Sequence, residues 1–205
     1  MKQARVVNWS DVGDREAALV QRCAAGDEDA SAELVAEHQR TVLQLAANLL
    51  GDREEALDLS QEVFLRVFRT IHRFRGHSSL RTWIYRIVVN QCCNRQRWWR
   101  RRRRAAACPL EEITPADEAK MSAVSPAEGP YERLARRERA RRMETALLAL
   151  SFDHRAVLLL REVEGLSCEE IATTLALPIG TVKSRLARGR DGLRRALASR
   201  GEETP

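Results

Sequence analysis

Between Lys183 and Arg195 six basic side chains lie on a segment whose apolar residues, Val182, Leu186, Leu193 and Leu197, recur at helical spacing. That spacing turns Lys183, Ser184, Ala187 and Arg188 outward near the start of the helix. An arginine or lysine there can make paired hydrogen bonds to guanine O6 and N7, and a serine can bond several bases. Arg185, Arg190 and Arg194 sit where backbone phosphates would be neutralised. Upstream, Ser167-Cys168-Glu169-Glu170 has the form of a capping box that opens a short helix through Leu175. Leu177-Pro178-Ile179-Gly180 then forces a turn, and Thr181 is expected to start the last helix, its amide open to a phosphate. A short capped helix, a turn and a basic helix is the helix-turn-helix arrangement. The plainer reading is a helical hairpin with a solvated basic face.

A second basic element is Arg95–Arg104, seven arginines without an acid, interrupted by Trp98 and Trp99. It can clamp phosphates while the tryptophans stack on bases or on the protein. It can also bind RNA as an arginine-rich segment, serve as a localisation signal, or simply be a basic helix end. On the preceding helix Trp83, Asn90 and Asn94 fall at i, i+7 and i+11, with Arg86 and Arg97 nearby. Asparagine can read adenine or the edge of an unstacked base; a solvated amide is the plainer alternative, and Trp83 taken alone reads first as core. Asp58, Gln61 and Glu62 form a polar group on an otherwise apolar helix. Ser/His/Asp sets, metal motifs and glycine-rich phosphate loops are missing from the sequence, so no catalytic residue, metal site or cofactor is expected.

These groups must be held by helices. Apolar residues at three- and four-residue spacing predict helices over Ala17–Ala24, stopped at Gly26, and over Leu34–Leu49, capped by Asp27 or Asp29 and stopped at Gly51. Asp52 with Glu55 opens another, with Leu59, Val63, Phe64, Val67 and Phe68 on one face. Ser78 or Ser79 caps the helix that runs into the arginines. Tyr131–Leu150 is amphipathic, and Ser151 caps a helix carrying Ala156, Val157, Leu159 and Leu160. Ala105–Pro130 holds four of the six prolines and no apolar period, which predicts a flexible linker. The expected fold is all-α: two small helical domains, residues 1–104 and 131–205, joined by linker 105–130, the second domain containing the helix-turn-helix.

Composition agrees. The 205 residues are 44% hydrophobic, 31% charged and 5% aromatic, which suits helices with small contacts better than a β-sandwich. The net charge of +6 is uneven: the linker is acidic, and without Arg95–Arg104 the first domain is close to neutral. Concentrated positive charge suggests a polyanion partner. The five cysteines, an odd number without framework spacing, suggest a reducing compartment. Two of them, Cys92 and Cys93, lie near His72 and His77 in sequence, but without a CxxC pair a zinc site is not expected. No apolar run is long enough to span a membrane and the N-terminus does not read as a secretory signal, so a cytoplasmic protein without membrane insertion is expected.

The strings Asp58-Leu59-Ser60-Gln61-Glu62-Val63-Phe64, Phe74-Arg75-Gly76 and Thr82-Trp83-Ile84-Tyr85-Arg86-Ile87-Val88-Val89-Asn90 resemble conserved region 2 of the extracytoplasmic-function sigma factors of bacterial RNA polymerase. Leu166–Ala172 with Gly180-Thr181-Val182-Lys183-Ser184-Arg185-Leu186 resembles their region 4. The resemblance covers roughly residues 15–104 and 131–198. One departure is Ser151-Phe152-Asp153-His154-Arg155, where the family usually has Leu-Pro followed by the arginine.

The resemblance implies roles. Asp58, Gln61 and Glu62, with Phe64 of the same string, would dock on the β′ coiled coil of core RNA polymerase. Phe74, Arg75, His77 and Ser78 belong to the loop that captures an extruded base of promoter DNA. Asn90 and Asn94 match positions facing the −10 element, completed by Trp83, Arg86 and Arg97. Lys183, Ser184 and Arg188 match −35 reading positions, joined by Thr181, Arg185 and Arg190. The implied partners are core polymerase, through its β′ coiled coil and β flap, promoter DNA, and an anti-sigma factor of the kind that holds many members inactive. Two other hypotheses compete: a polymerase-independent helix-turn-helix regulator, which would not need the Asp58–Phe64 surface, and a helix-turn-helix recombinase, which would need a nucleophile.

Overall fold

The computed structural model describes residues 13–105 and 129–199, and among these the regular structure is helical throughout. The first half comprises α1 (Asp14–Ala24), α2 (Glu28–Leu50), α3 (Arg53–Thr70), a 3-10 turn over Ile71–Arg73 and α4 (Leu80–Ala105). The second comprises α5 (Pro130–Leu148), α6 (Phe152–Glu162), α7 (Cys168–Leu175) and α8 (Ile179–Ala198). The expected linker falls largely on residues 106–128, outside the described residues, as does Cys108.

Local chemistry sets the boundaries. The Asp27 carboxylate accepts from the Ala30 amide at 2.9 Å and starts α2, and Gly51, at φ 76°, ends it in the left-handed conformation. Asp52 caps α3 through the Glu55 amide at 3.1 Å. The expected capping box is only half made there, because the Glu55 side chain turns to Arg95 instead. Ser79 caps α4 through the Thr82 amide, and the Glu16 carboxylate of α1 takes the Leu80 amide. Ser167 and Glu170 form the complete reciprocal box at α7. At α6, Ser151 occupies the cap position, but its hydroxyl makes no capping bond.

In the first half α2, α3 and α4 pack on one another through Leu34, Val42, Leu45, Leu49, Leu59, Val63, Val67, Ile84 and Val88, all fully buried. In the second, α6 and α8 cross closely. Gly189 permits this: a β-carbon there would lie 3.2 Å from the His154 carbonyl oxygen.

The two halves also pack against each other. Arg155 of α6 is 3% exposed and donates to the Leu49 carbonyl at the end of α2 (2.7 Å) and to the Leu147 and Leu148 carbonyls at the end of α5 (3.4 and 3.2 Å). One guanidinium thus serves helix-end carbonyls from both halves; the Leu147 carbonyl also accepts from the Leu150 amide at 3.1 Å. Burial depresses its pKa from the usual arginine range. Beside it, a β-carbon on Gly51 would meet the Leu148 side chain at 2.5 Å. A second polar cluster joins α4 to the segment before α7. The Tyr85 hydroxyl donates to the buried Glu164 carboxylate, and Arg81 pairs with the same carboxylate at 3.2 Å while donating to Tyr85 Oη at 2.6 Å. Burial, followed by the Glu164 hydrogen bond, pushes the Tyr85 hydroxyl well above the usual phenol range.

Candidate nucleic-acid and protein interfaces

The outer face of α3 presents Asp58, Gln61 and Glu62 to solvent. Two apolar side chains absent from the expected set stand among them, Leu57 at 42% and Leu65 at 55% exposure. They sit four residues on either side of Gln61, so a leucine at i±4 on a polar face was the available signal. Phe64, expected on this surface, is instead buried: it follows Val63 onto the inward side of α3, where it can support the face but not present itself. Glu62 is exposed but not free. Arg95 of α4 donates to Glu55 and Glu62, each at 2.7 Å, and so ties the two helices together.

On α4, Arg86, Asn90, Asn94, Arg97 and Arg101 are all exposed. At about 100° per residue they fall within a stripe roughly 80° wide. Trp83 lies half-buried at the start of the helix, its ring edge-on to Phe74 with centroids 5.5 Å apart. Phe74 is itself buried, so this expected base-capturing residue serves as the floor of its loop. Arg75 and His77 are exposed and Ser78 half-exposed along the rim. Of the tryptophans of the arginine run, Trp99 is half-buried on the side opposite the stripe, and Trp98 is exposed about 40° beyond its edge. Trp98 carries the Arg102 guanidinium over its ring at 4.7 Å, and Arg95, on the same side, is engaged with α3.

In the second half α8 begins at Ile179, not at Thr181. Pro178 lacks an N–H and sits at the cap, and its carbonyl receives both the Thr181 and Val182 amides. The Thr181 amide is therefore already bonded, at 2.9 Å, and does not offer itself to a phosphate as expected. Ala176 makes the turn, in left-handed conformation at φ 53°. Lys183, Ser184 and Arg188 are exposed near the start of α8. Arg185 and Arg190, expected on the phosphate backbone, are ion-paired with α6: Arg185 to Asp153 at 2.9 Å, Arg190 to Glu162 at 2.6 Å. An open groove of about 550 Å³ between α6 and α8 is lined by Leu158, Leu193 and Leu197, with Glu162, Arg190 and Arg194 at its edge.

Among the described residues no three His, Cys, Asp or Glu side chains come together as a metal site would require. The described cysteines are free thiols, and burial pushes Cys92 up to about 12. No helix among the described residues is long and apolar enough to cross a membrane.

Both halves of the chain match known proteins. Residues 34–105 match the family described as Sigma-70 region 2, and residues 140–192 match Sigma-70, region 4. The chain is 35% identical to the RNA polymerase sigma-H factor of Pseudomonas aeruginosa, over 90% of this chain and 94% of that one. It is 32% identical to the ECF RNA polymerase sigma factor SigW of Bacillus subtilis, over 84% of this chain and 91% of that one. Two solved structures share the fold. The sigma factor RpoE of Bartonella quintana, in complex with the anti-sigma factor NepR, aligns with a TM-score of 0.64 and 22% identity over 81% of this chain and 95% of that one. CnrH, in complex with the cytosolic domain of CnrY, gives 0.64 and 24% over 91% and 99%. A helix-turn-helix regulator independent of polymerase is not favoured, since both sigma regions occur in order on one chain. Sigma factors initiate transcription and carry out no catalysis of their own; this chain, matched along nearly its whole length, belongs to the extracytoplasmic-function branch of the sigma-70 family of RNA polymerase sigma factors.

Proposed function

We propose that α3 docks the chain on core RNA polymerase while α4 and α8 read the −10 and −35 elements of a promoter in the cytoplasm. The observation that supports the reading is two unlike exposed surfaces on neighbouring helices of the first half, tied together by Arg95. Leu57, Asp58, Gln61, Glu62 and Leu65 form an apolar-and-acidic face on α3. Arg86, Asn90, Asn94 and Arg97 form a polar, base-capable row on α4. Leucines flanked by carboxylates suit a basic protein helix, with the acids setting orientation and the leucines supplying area. Exposed asparagines between arginines suit nucleic acid. The loop around Arg75, His77 and Ser78 adjoins the start of α4, where an unpaired base would be received. Lys183, Ser184 and Arg188 are the −35 readers. The apolar groove between α6 and α8 suits the β flap, and an anti-sigma factor, by resemblance to the family, would compete for these same faces.

The test separates the two surfaces. Asp58→Arg should lower core-polymerase affinity about 10-fold, the equivalent of ~1.4 kcal/mol, and leave the fold intact. Asn90→Ala with Asn94→Ala should preserve core binding and impair open-complex formation on a native promoter. Unchanged core affinity in the first, or normal promoter opening in the second, would overturn the respective half of the reading.

A further inference from the structure

The arginine run is not absorbed by that reading. Its residues divide by face. Arg95 and Arg102 are occupied, by the α3 carboxylates and by the Trp98 ring. Arg97, Arg100 and Arg101 are exposed, and among the described residues no carboxylate pairs with them. Arg155 adds a repulsive charge near Arg100. The helix is unbroken from Leu80 to Ala105, so these side chains are presented by a rigid element. Arg101 continues the stripe of Asn90, Asn94 and Arg97, and Arg100 flanks it on the other side, about 100° of helix apart from Arg101.

We propose that Arg100 and Arg101 bind the phosphates of duplex DNA immediately upstream of the −10 element. The inference rests on the −10 reading of α4. In that reading the base-capturing loop lies at the start of the helix, so melted DNA is at that end and intact duplex at the arginine end. Arg101 is seven residues beyond Asn94, about 10 Å along the axis. Phosphates recur every ~3.4 Å along a strand, so the reach is roughly three base pairs. Two arginines straddling a line and no hydrogen-bonding amide between them make a contact without sequence preference. Duplex DNA is favoured over RNA because the arginines stand on a fixed helix in line with a DNA-reading row, and of the tryptophans that would stack unpaired bases Trp98 already carries the Arg102 guanidinium and Trp99 is half-buried.

The experiment uses holoenzyme reconstituted from the full chain and core polymerase. Two promoter fragments are compared: one ending at the upstream edge of the −10 element, and one extended by a helical turn of duplex of arbitrary sequence. The R100Q/R101Q variant should bind the short fragment as the wild type does. On the extended fragment its salt slope should be smaller by about 1.8, so that the wild-type advantage is ~12-fold greater at about 50 mM salt than at about 200 mM. R100K/R101K, which keeps both charges, should keep the wild-type slope. Equal binding of the extended fragment by R100Q/R101Q and wild type, an equal deficit on both fragments, or a deficit seen only with single-stranded RNA would overturn the inference. A wild-type holoenzyme indifferent to scrambling of the −10 bases would instead show that the reading beneath it had failed.

Discussion

Each half of the molecule carries a long helix rich in arginine, α4 in the first and α8 in the second, and the two use their acidic neighbours differently. In α8 the acids of α6 hold Arg185 and Arg190, which leaves Lys183, Ser184 and Arg188 as the forward-facing group. In α4 the acids of α3 hold Arg95, at the back of the helix, and the front row stays open from Arg86 to Arg101. Internal ion pairs therefore restrict α8 to a short patch suited to base edges, whereas α4 keeps a long row suited to bases at one end and phosphates at the other. Basic charge alone, nine arginines on α4 against six basic residues on α8, does not account for the difference; the placement of carboxylates on the neighbouring helix does.

The comparison supposes that both halves are held as described, by Arg155 and by the Tyr85–Arg81–Glu164 cluster. Arg155→Ala should have the largest effect. It would take the guanidinium from the Leu49 and Leu148 carbonyls, while Leu147 keeps the Leu150 amide, and should cost about 3 kcal/mol in urea unfolding. A loss below ~1 kcal/mol would show that solvent can replace the guanidinium and that the halves are not joined there.

Next in size is the contrast within α8. Arg188→Ala should cost roughly 1–3 kcal/mol in promoter affinity and relax preference at one or two base pairs of a randomised −35 library. Arg190→Ala would flatten the salt dependence by about one unit if the side chain neutralised a phosphate. Paired with Glu162 it should change the slope by much less. Equal slopes lost in both variants would erase the distinction drawn between the two helices.

A smaller contrast concerns how helices end. Both α2 and α7 stop in the left-handed conformation, the first at Gly51 and the second at Ala176. Ala176→Gly should stabilise the second half by about 1 kcal/mol in thermal unfolding, because a β-carbon is disfavoured there. Gly51→Ala should destabilise by at least as much, adding the Leu148 contact to the same backbone strain.

The smallest effect is one of pH and belongs to the first half. Burial holds His38 below the ordinary histidine range, with Glu37 opposing and Arg81 adding to the shift. The folded state then binds fewer protons than the unfolded one as pH falls through about 6.5. Stability should decline below that pH until the folded-state value is passed, and His38→Gln should remove this part of the decline in unfolding midpoints.

Much of the fold could be read from the sequence because helix caps are local. Asp27, Asp52 and Ser167 announce their helices within three residues, and the apolar spacing of α2, α3 and α8 marks their buried faces. What escaped the sequence depends on helices distant in the chain. Nothing near Arg155 predicts that it reaches Leu49, or near Glu164 that it meets Tyr85. The ion pairs of Arg185 and Arg190 reach across to α6, on which α8 lies close at Gly189. α8 starts two residues before the expected Thr181 because a proline before a helix reads as a break, whereas here its carbonyl receives the first amides. The apolar spacing of α3 already sets Phe64 beside Val63 on the inner face, and only the resemblance draws it and Phe74 to a surface, where both are buried.

The bond between Arg155 and the Leu49 carbonyl spans 106 residues of chain. Ribosomes add roughly 5–20 residues per second, so about 5–20 s separate the synthesis of the two partners. During that interval the end of α2 must be satisfied by water, and its neighbour Gly51 has no Leu148 against it. The nascent chain thus passes through a stage in which α3 and α4 are complete and unaccompanied. Whatever meets the first half at that stage meets it without its second half, which makes the order of synthesis part of how this protein reaches its finished form.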